Sequence, residues 1–184
     1  MTYAYLNSNG TIAEYPIYEG DIKLRFRNTS FPSPFSPPDG YVAVTDTPQP
    51  SLPDAYHRTT EGAPVIADGR WVRTWTIVPL TQPERDAVDA AKQAALRAEI
   101  ITKAQSRLDE FAQKHRYDDI HTAASYASDP DPTFAAEGAR CRLLRSQTWA
   151  ALRQLEADVL AGTRSAPTSW ADVELLLPVL TWSP

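Results

Sequence analysis

One stretch of the chain, from Glu84 to Asp129, contains no Gly and no Pro and is rich in helix-forming residues. Its start carries a capping signal. Thr81 can cap the free backbone amides, Pro83 fits the first helical turn, and Glu84 stands three residues after Thr81, as in a capping box. The pattern predicts one long helix from Glu84 to about Lys114. Apolar side chains spaced by three or four residues form a seam along it, at Ala87, Ala90, Ala94, Ile101, Ala104, Leu108 and Phe111.

The seam of this helix is narrow in its first half, where it is mostly Ala, and bulky in its second half. Arg97 is its only interruption. Two interpretations follow. In the first, the helix is a strut whose first half links two parts of the protein and whose second half packs into a helical core. In the second, the seam recruits a partner helix.

Proline and glycine divide the chain into two parts. Of the 16 prolines, 11 lie at or before Pro83, and so do 5 of the 7 glycines. Because these residues favour turns and interrupt helices, the first part is expected to consist of strands and turns. We predict an α+β fold. A small β-rich, Pro-rich domain, residues 1–80, would be followed by a C-terminal antiparallel helical bundle, residues 81–184, with one long linking helix.

The clearest element of the first part is a hairpin over residues 64–78, with Asp68-Gly69 as its turn. Alternation along its second strand puts Trp71, Arg73 and Trp75 on one face. Two large rings on one face are usually core residues. A sheet this small has difficulty burying both, so a partner-binding surface is the rival interpretation.

Residues 31–38 read Phe-Pro-Ser-Pro-Phe-Ser-Pro-Pro. Proline lacks an amide donor, so this segment cannot form a helix or a central strand and should run as an extended, polyproline-like chain. Phe31 and Phe35 either tuck under the sheet or lie on the surface as a sticky edge. Tyr41 begins the next predicted strand, residues 41–45.

Charge and cysteine content limit the classes of function. The net charge is −5, from 18 Lys and Arg against 23 Asp and Glu, which gives no electrostatic footprint for nucleic acid or an anionic membrane. No apolar run approaches the roughly 20 residues that span a bilayer, and we expect no secretory signal. The single cysteine, Cys141, rules out an intramolecular disulfide and indicates a reducing compartment.

Motifs for catalysis are missing from the sequence, which has no Gly-rich phosphate loop, nucleophile elbow or zinc-ligand pattern. His115 and His121, with Asp118 and Asp119, would make at most a weak metal cluster, and solvated charges at a helix end are the simpler interpretation. Cys141 lies on an apolar seam and is expected to be a core residue rather than a nucleophile. We therefore expect no enzymatic activity, no metal and no cofactor.

Two sets of segments resemble the two modules of small accessory proteins from tail-fibre gene clusters of tailed bacteriophages, and the two modules would cover nearly the whole chain. The first set is Asn28-Thr29-Ser30-Phe31-Pro32, Tyr41-Val42-Ala43-Val44, the stretch from Pro48 to Pro53, Glu61-Gly62-Ala63-Pro64 and Asp68-Gly69-Arg70-Trp71-Val72-Arg73-Thr74-Trp75. The second set is Phe111-Ala112, Tyr117-Asp118, Ser125-Tyr126-Ala127, Phe134-Ala135-Ala136-Glu137-Gly138 and Thr148-Trp149.

The resemblance implies a tail-fibre assembly chaperone that binds the trimeric fibre at its distal, receptor-binding end and supports its folding and solubility. One copy per fibre chain would follow from the symmetry of the fibre. The protein would act in the host-cell cytoplasm during phage assembly, and retention on the virion tail is left open. The alternative is a structural virion component, such as a fibre adaptor or tip subunit.

The resemblance implies no catalytic residues and does not define which positions touch the fibre. Candidate partner-binding residues are therefore taken from the aromatics and prolines expected at the surface, together with the arginine between two of them. A rigid Pro-rich segment loses little entropy on docking, which suits such a surface. These candidates are Phe31, Pro32, Phe35, Tyr41, Trp71, Arg73 and Trp75.

Overall fold

The computed structural model describes residues 1–182, and the chain divides into two compact units, Met1–Val88 and Asp89–Pro184. We call them the N-terminal unit and the C-terminal unit. The N-terminal unit contains all five strands and a short helix. In chain order these are β1 (Thr2–Leu6), β2 (Ile12–Tyr18), α1 (Glu19–Arg25), β3 (Tyr41–Thr45), β4 (His57–Ala67) and β5 (Arg70–Pro79).

The five strands form one mixed sheet in the order β2-β1-β3-β5-β4, curled into a half-barrel. Strands β1 and β2 pair antiparallel, as do β1 and β3, and β4 and β5 form the predicted hairpin. Its Asp68-Gly69 turn has positive φ at both residues, as a two-residue hairpin turn of this kind requires. The one parallel pair is β3 with β5, through Val44 opposite Trp71 and Thr45 opposite Val72.

The core of the N-terminal unit lies where β1, β2 and α1 meet. Tyr3, Ile17 and Ile22 are buried and form one cluster. Strand β1 has partners on both sides, and its first three residues, Thr2 to Ala4, are all buried. The first residues of the sheet are thus among its most enclosed.

The remaining helices are α2 (Gln82–Gln113), α3 (Ile120–Ser125), α4 (Pro132–Leu160) and α5 (Trp170–Glu174), with a 3₁₀ turn at Tyr126–Ser128. The core of the C-terminal unit joins the end of α2 to α3 and α4, through Leu108, Phe111, Ala112, Ile120, Ala123, Cys141 and Leu144. The predicted contact between Thr81 and Glu84 at the start of α2 is present. The Glu84 carboxylate accepts hydrogen bonds from the Thr81 backbone amide and hydroxyl, each at 2.7 Å. At α4, the Asp131 carboxylate accepts the Thr133 amide at 2.8 Å.

The fold class predicted from the sequence is wrong. The structure is an α+β fold with a five-stranded mixed half-barrel sheet and five helices, not a small Pro-rich β domain followed by a helical bundle. The sheet differs from the predicted small β domain because strand β3 joins the two hairpins into one five-stranded sheet. It does so through pairs that are distant in sequence. The helices differ from the predicted bundle because α3 and α5, at 6 and 5 residues, are too short to be members of a bundle.

Candidate functional site

The arginine of the predicted aromatic face, Arg73, lies at the centre of a polar network inside the half-barrel. Its guanidinium donates to the Tyr15 hydroxyl at 3.2 Å and to the Thr2 hydroxyl at 3.0 Å. It also forms ion pairs with Glu61, at 2.9 Å, and with Asp46, at 3.0 Å. These partners come from β2, β1, β4 and the residue after β3. One side chain on β5 is therefore connected to β1, β2 and β4 and to the residue that follows β3.

The contacts within this network raise the pKa values of two of its members, Arg73 and Tyr15. The hydrogen bond with Tyr15 and the nearby Glu61 and Asp46 carboxylates raise the pKa of Arg73. Burial raises the pKa of Tyr15, and its hydrogen bond to Glu61 raises it further. Arg73 is consequently charged and Tyr15 neutral throughout the physiological pH range.

A cleft of about 360 Å³ lies beside this network, between the two outer strands of the sheet. One wall is β2 and the other is β4. The lining residues are Ile12, Ala13, Glu14, Tyr15, Pro16, Glu61, Gly62 and Ala63. Within residues 1–182, each of these strands pairs with a strand on one side only, so each presents a free backbone edge. Free edges of this kind can accept an additional extended chain.

The irregular part of β4 shapes one wall of the cleft. Its register against β5 is broken between Gly62 and Val65. The Thr74 hydroxyl donates to the Ala63 carbonyl at 2.8 Å within this break. A break of this kind bends the strand and interrupts its pairing. Across the cleft, the side chains of Tyr15 and Glu61 join the two walls by a hydrogen bond.

Three of the predicted partner-binding aromatics contribute to packing inside the N-terminal unit. Phe31, Phe35 and Tyr41 are half-buried and pack against the core cluster of Tyr3, Ile17 and Ile22. The ring centroids of Phe31 and Phe35 are 5.1 Å apart, and those of Tyr3 and Phe35 are 5.6 Å apart. The two phenylalanines thus tuck against the interior, while Pro32 between them is exposed.

The two tryptophans of β5 are also half-buried. The Trp75 indole N–H donates to the Thr47 carbonyl at 3.0 Å, and its ring lies 5.6 Å from the Arg73 guanidinium carbon. Trp71 stands opposite Val44 of β3 in the sheet. The structure therefore brings Arg73 and Trp75 together in one group. Their contact with a partner remains a prediction.

Sequence reasoning missed the members of the polar network and an exposed apolar pair. A lone arginine between two tryptophans on a strand face should have signalled the need for carboxylates nearby. Val65 and Ile66, next to the hairpin turn, are 49% and 63% exposed. Adjacent β-branched residues that break the alternation were the available signal for this surface.

The candidate reactive groups of the C-terminal unit have structural partners. Cys141 is fully buried, and burial raises the pKa of its thiol to about 11, which disfavours the thiolate. Asp119 caps α3 by accepting the Thr122 amide at 2.6 Å. His115 stacks on Trp182 with ring centroids 3.5 Å apart. In residues 1–182, no group of three or more His, Cys, Asp and Glu side chains is arranged to hold a metal ion.

Comparison with protein-family models, curated proteins and solved structures finds no match to this chain. Within the part of the chain that the structure describes, no helix combines the length and the apolar character needed to cross a membrane. The assignment of a function therefore depends on the sequence resemblance and on the geometry of the half-barrel.

Proposed function

We propose that this protein is a tail-fibre assembly chaperone of a tailed bacteriophage and that it binds a trimeric tail fibre to support its folding and solubility. The observation that carries the proposal is the cleft between β2 and β4, where two free strand edges face each other. The strands that form it belong to the half of the chain that resembles the first tail-fibre accessory module. No catalytic step, metal or cofactor is part of the proposed activity.

The physical problem of folding a tail fibre suits such a cleft. Intertwined β-rich trimers form through slow, non-local pairing, and their strand edges are exposed meanwhile. An extended fibre segment that pairs with β2 or β4 would have its edge covered until its own partner strands arrive. The polar network around Arg73 connects the strands of the sheet, so the edges are held in place before the fibre binds.

The proposed partner is the distal, receptor-binding end of the fibre, with one copy of the protein per fibre chain. Assembly would take place in the cytoplasm of the host cell, and nucleic acid and membranes are not proposed as partners. Stoichiometric presence on the mature particle would favour the alternative, a structural tail component, although a chaperone can also stay bound to the fibre. Mass spectrometry of purified particles tests this in one direction, because absence from the particle argues against the structural alternative.

Co-expression with the adjacent fibre gene tests the proposal. We expect the fibre to be insoluble alone and to form a soluble complex with the protein, at equal copy number by size-exclusion chromatography with light scattering. A fibre that is soluble and correctly assembled without the protein would refute the chaperone function.

The contact surface is tested by filling the cleft. Ala63 is exposed and lines the cleft, so Ala63→Arg places a long charged side chain between the two edges. We expect this variant to bind fibre at least about tenfold more weakly, a loss of roughly 1.4 kcal/mol of binding free energy. Ala67→Arg is the matched control, because Ala67 is also exposed on β4 but lies outside the cleft. Equal binding by both variants would show that the fibre docks elsewhere.

A further inference from the structure

The two walls of the cleft in the N-terminal unit are joined by side chains and not by backbone pairing. Strands β2 and β4 lie at opposite ends of the strand order, and within residues 1–182 neither pairs with the other. Pro16 of β2 lines the cleft and has no amide proton, so it cannot donate to a backbone ladder across the gap. The hydrogen bond from the Tyr15 hydroxyl to the Glu61 carboxylate spans the gap instead.

The closed cleft is too narrow for an added strand that pairs with both walls. Neighbouring strands in a sheet are about 4.8 Å apart, so a strand between β2 and β4 needs about 9.6 Å between them. In the structure, β2 and β4 have Cα atoms within 8 Å of each other. An extended chain can therefore enter between the walls only if they move apart, and the bridge between Tyr15 and Glu61 opposes that movement.

Of the two side chains in the bridge, Tyr15 is the one that can leave without exposing an unpaired charge. The Glu61 carboxylate keeps its ion pair with the Arg73 Nε atom, at 2.9 Å. Arg73 in turn stays anchored to the Thr2 hydroxyl and the Asp46 carboxylate, each at 3.0 Å. The charged part of the network thus remains intact when the Tyr15 hydroxyl moves away.

The strength of the bridge suits a contact that opens and closes. Tyr15 is half-buried and the Glu61 side chain is 31% exposed, so water can reach both groups once they separate. A hydrogen bond to a charged group contributes roughly a factor of ten or more to an equilibrium. An extended chain that pairs along a strand edge supplies several backbone hydrogen bonds in return, which is enough to offset the loss of one bridge.

We propose that the hydrogen bond between Tyr15 and Glu61 is a latch that holds the cleft of the free protein closed, and that an extended fibre segment enters once Tyr15 has left Glu61. This inference rests on the proposed chaperone function and adds to it a control of the same site. Because the closed form excludes the segment, the latch lowers the apparent affinity of the cleft. Removal of the latch therefore strengthens binding, whereas loss of a purely structural bond would weaken it.

Hydrogen exchange of the protein alone tests whether the latch holds the cleft closed. Tyr15→Phe removes the hydroxyl and keeps the ring. We expect the backbone amides that line the cleft on β2 and β4 to exchange about tenfold faster in this variant, measured by mass spectrometry. Tyr5→Phe is the matched control, because it removes the same atom from an exposed tyrosine of β1 outside the cleft. Unchanged exchange in Tyr15→Phe would overturn the latch.

Refolding of the fibre tests whether the latch controls entry. The fibre chain encoded by the adjacent gene is unfolded in urea and diluted into increasing concentrations of the protein, and the soluble fibre is measured. We expect Tyr15→Phe to reach half-maximal recovery at about one tenth of the wild-type concentration, and Tyr5→Phe to match the wild type. A Tyr15→Phe variant that needs the same concentration as the wild type, or a higher one, would overturn the proposal.

The two measurements separate a failure of the latch from a failure of the chaperone function. A wild-type protein that yields no soluble fibre at any concentration would refute the chaperone function, and the entry of a fibre segment would fall with it. The exchange measurement needs no fibre, so it decides independently whether the contact between Tyr15 and Glu61 holds the two walls together.

Discussion

Gly138 of α4 packs directly against the backbone of the 3₁₀ turn, where no side chain larger than a hydrogen atom fits. A Cβ atom at this position of α4 would lie 2.3 Å from the Ala127 nitrogen and 2.5 Å from the Tyr126 carbonyl carbon. Both are backbone atoms of the 3₁₀ turn, and they cannot move aside as a flexible side chain would. Gly138 therefore has a packing reason to be part of the segment that resembles the second tail-fibre module.

Substitution of Gly138 by Ala should destabilise the C-terminal unit by about 1 to 3 kcal/mol, the usual range for an overpacked site. The measurement is urea denaturation followed by circular dichroism. Gly20→Ala in α1 is the matched control, because a Cβ there meets no atom within 4 Å. In the control we expect a small gain of stability from the better helix propensity of alanine. A Gly138→Ala variant as stable as the wild type would contradict the close approach.

A short helix depends strongly on its N-cap residue, and α3 is an example. Asp119 caps it through the Thr122 amide, and this hydrogen bond is the main cause that lowers the pKa of the Asp119 carboxyl. The folded state therefore binds the proton less tightly than the unfolded chain does. The cap stabilises the fold above about pH 4, the usual pKa of aspartate, and its contribution is lost as the pH falls through the lower folded pKa.

Asp119→Asn should make unfolding less sensitive to acid. The amide oxygen still accepts the Thr122 hydrogen bond, but the side chain no longer titrates. Between pH 5 and pH 3 we expect the melting temperature of the variant to fall less than that of the wild type. Asp118→Asn removes the same charge at the neighbouring residue without changing the cap. If both variants lose the same amount of stability on acidification, the cap is not the titrating group.

Elements that are defined by local chemistry could be predicted from the sequence. The contact between Thr81 and Glu84 and the Asp68-Gly69 turn were both found where predicted, because each depends on residues within one turn of chain. Strand β3 shows the limit. Its alternating pattern identified a strand, but nothing in that pattern says that β1 and β5 lie on either side of it.

The candidate site was predicted only in part for the same reason. Alternation placed Arg73 and Trp75 on one face, and the structure brings these two together. Their partners Thr2, Tyr15 and Glu61 lie on other strands, so the network depends on tertiary pairing that no local pattern contains. For Phe31 and Phe35 the sequence left two alternatives, a position under the sheet or an exposed edge. In the structure both rings pack against the core cluster.

At the scale of the whole molecule, a substitution inside one compact unit should act mainly on that unit, because each unit has its own set of internal contacts. Arg73→Met leaves Tyr15, Glu61 and Thr2 without their common partner and should speed amide hydrogen exchange throughout the five strands. Gly138→Ala should speed exchange in α3 and α4 and leave the strands unchanged. Exchange measured by mass spectrometry checks both. Faster exchange in both units from either variant would contradict independent units.

The two-residue parallel pairing of β3 with β5 also has a consequence for how the protein is made. A chain leaves the ribosome from its N-terminus, so β1, β2 and β3 emerge well before β5 exists. Synthesis thus produces β2, β1 and β3 first, and the edge of β3 that later pairs with β5 is open until then. The strand that arrives to cover that edge also brings Arg73, the side chain that connects the strands already in place.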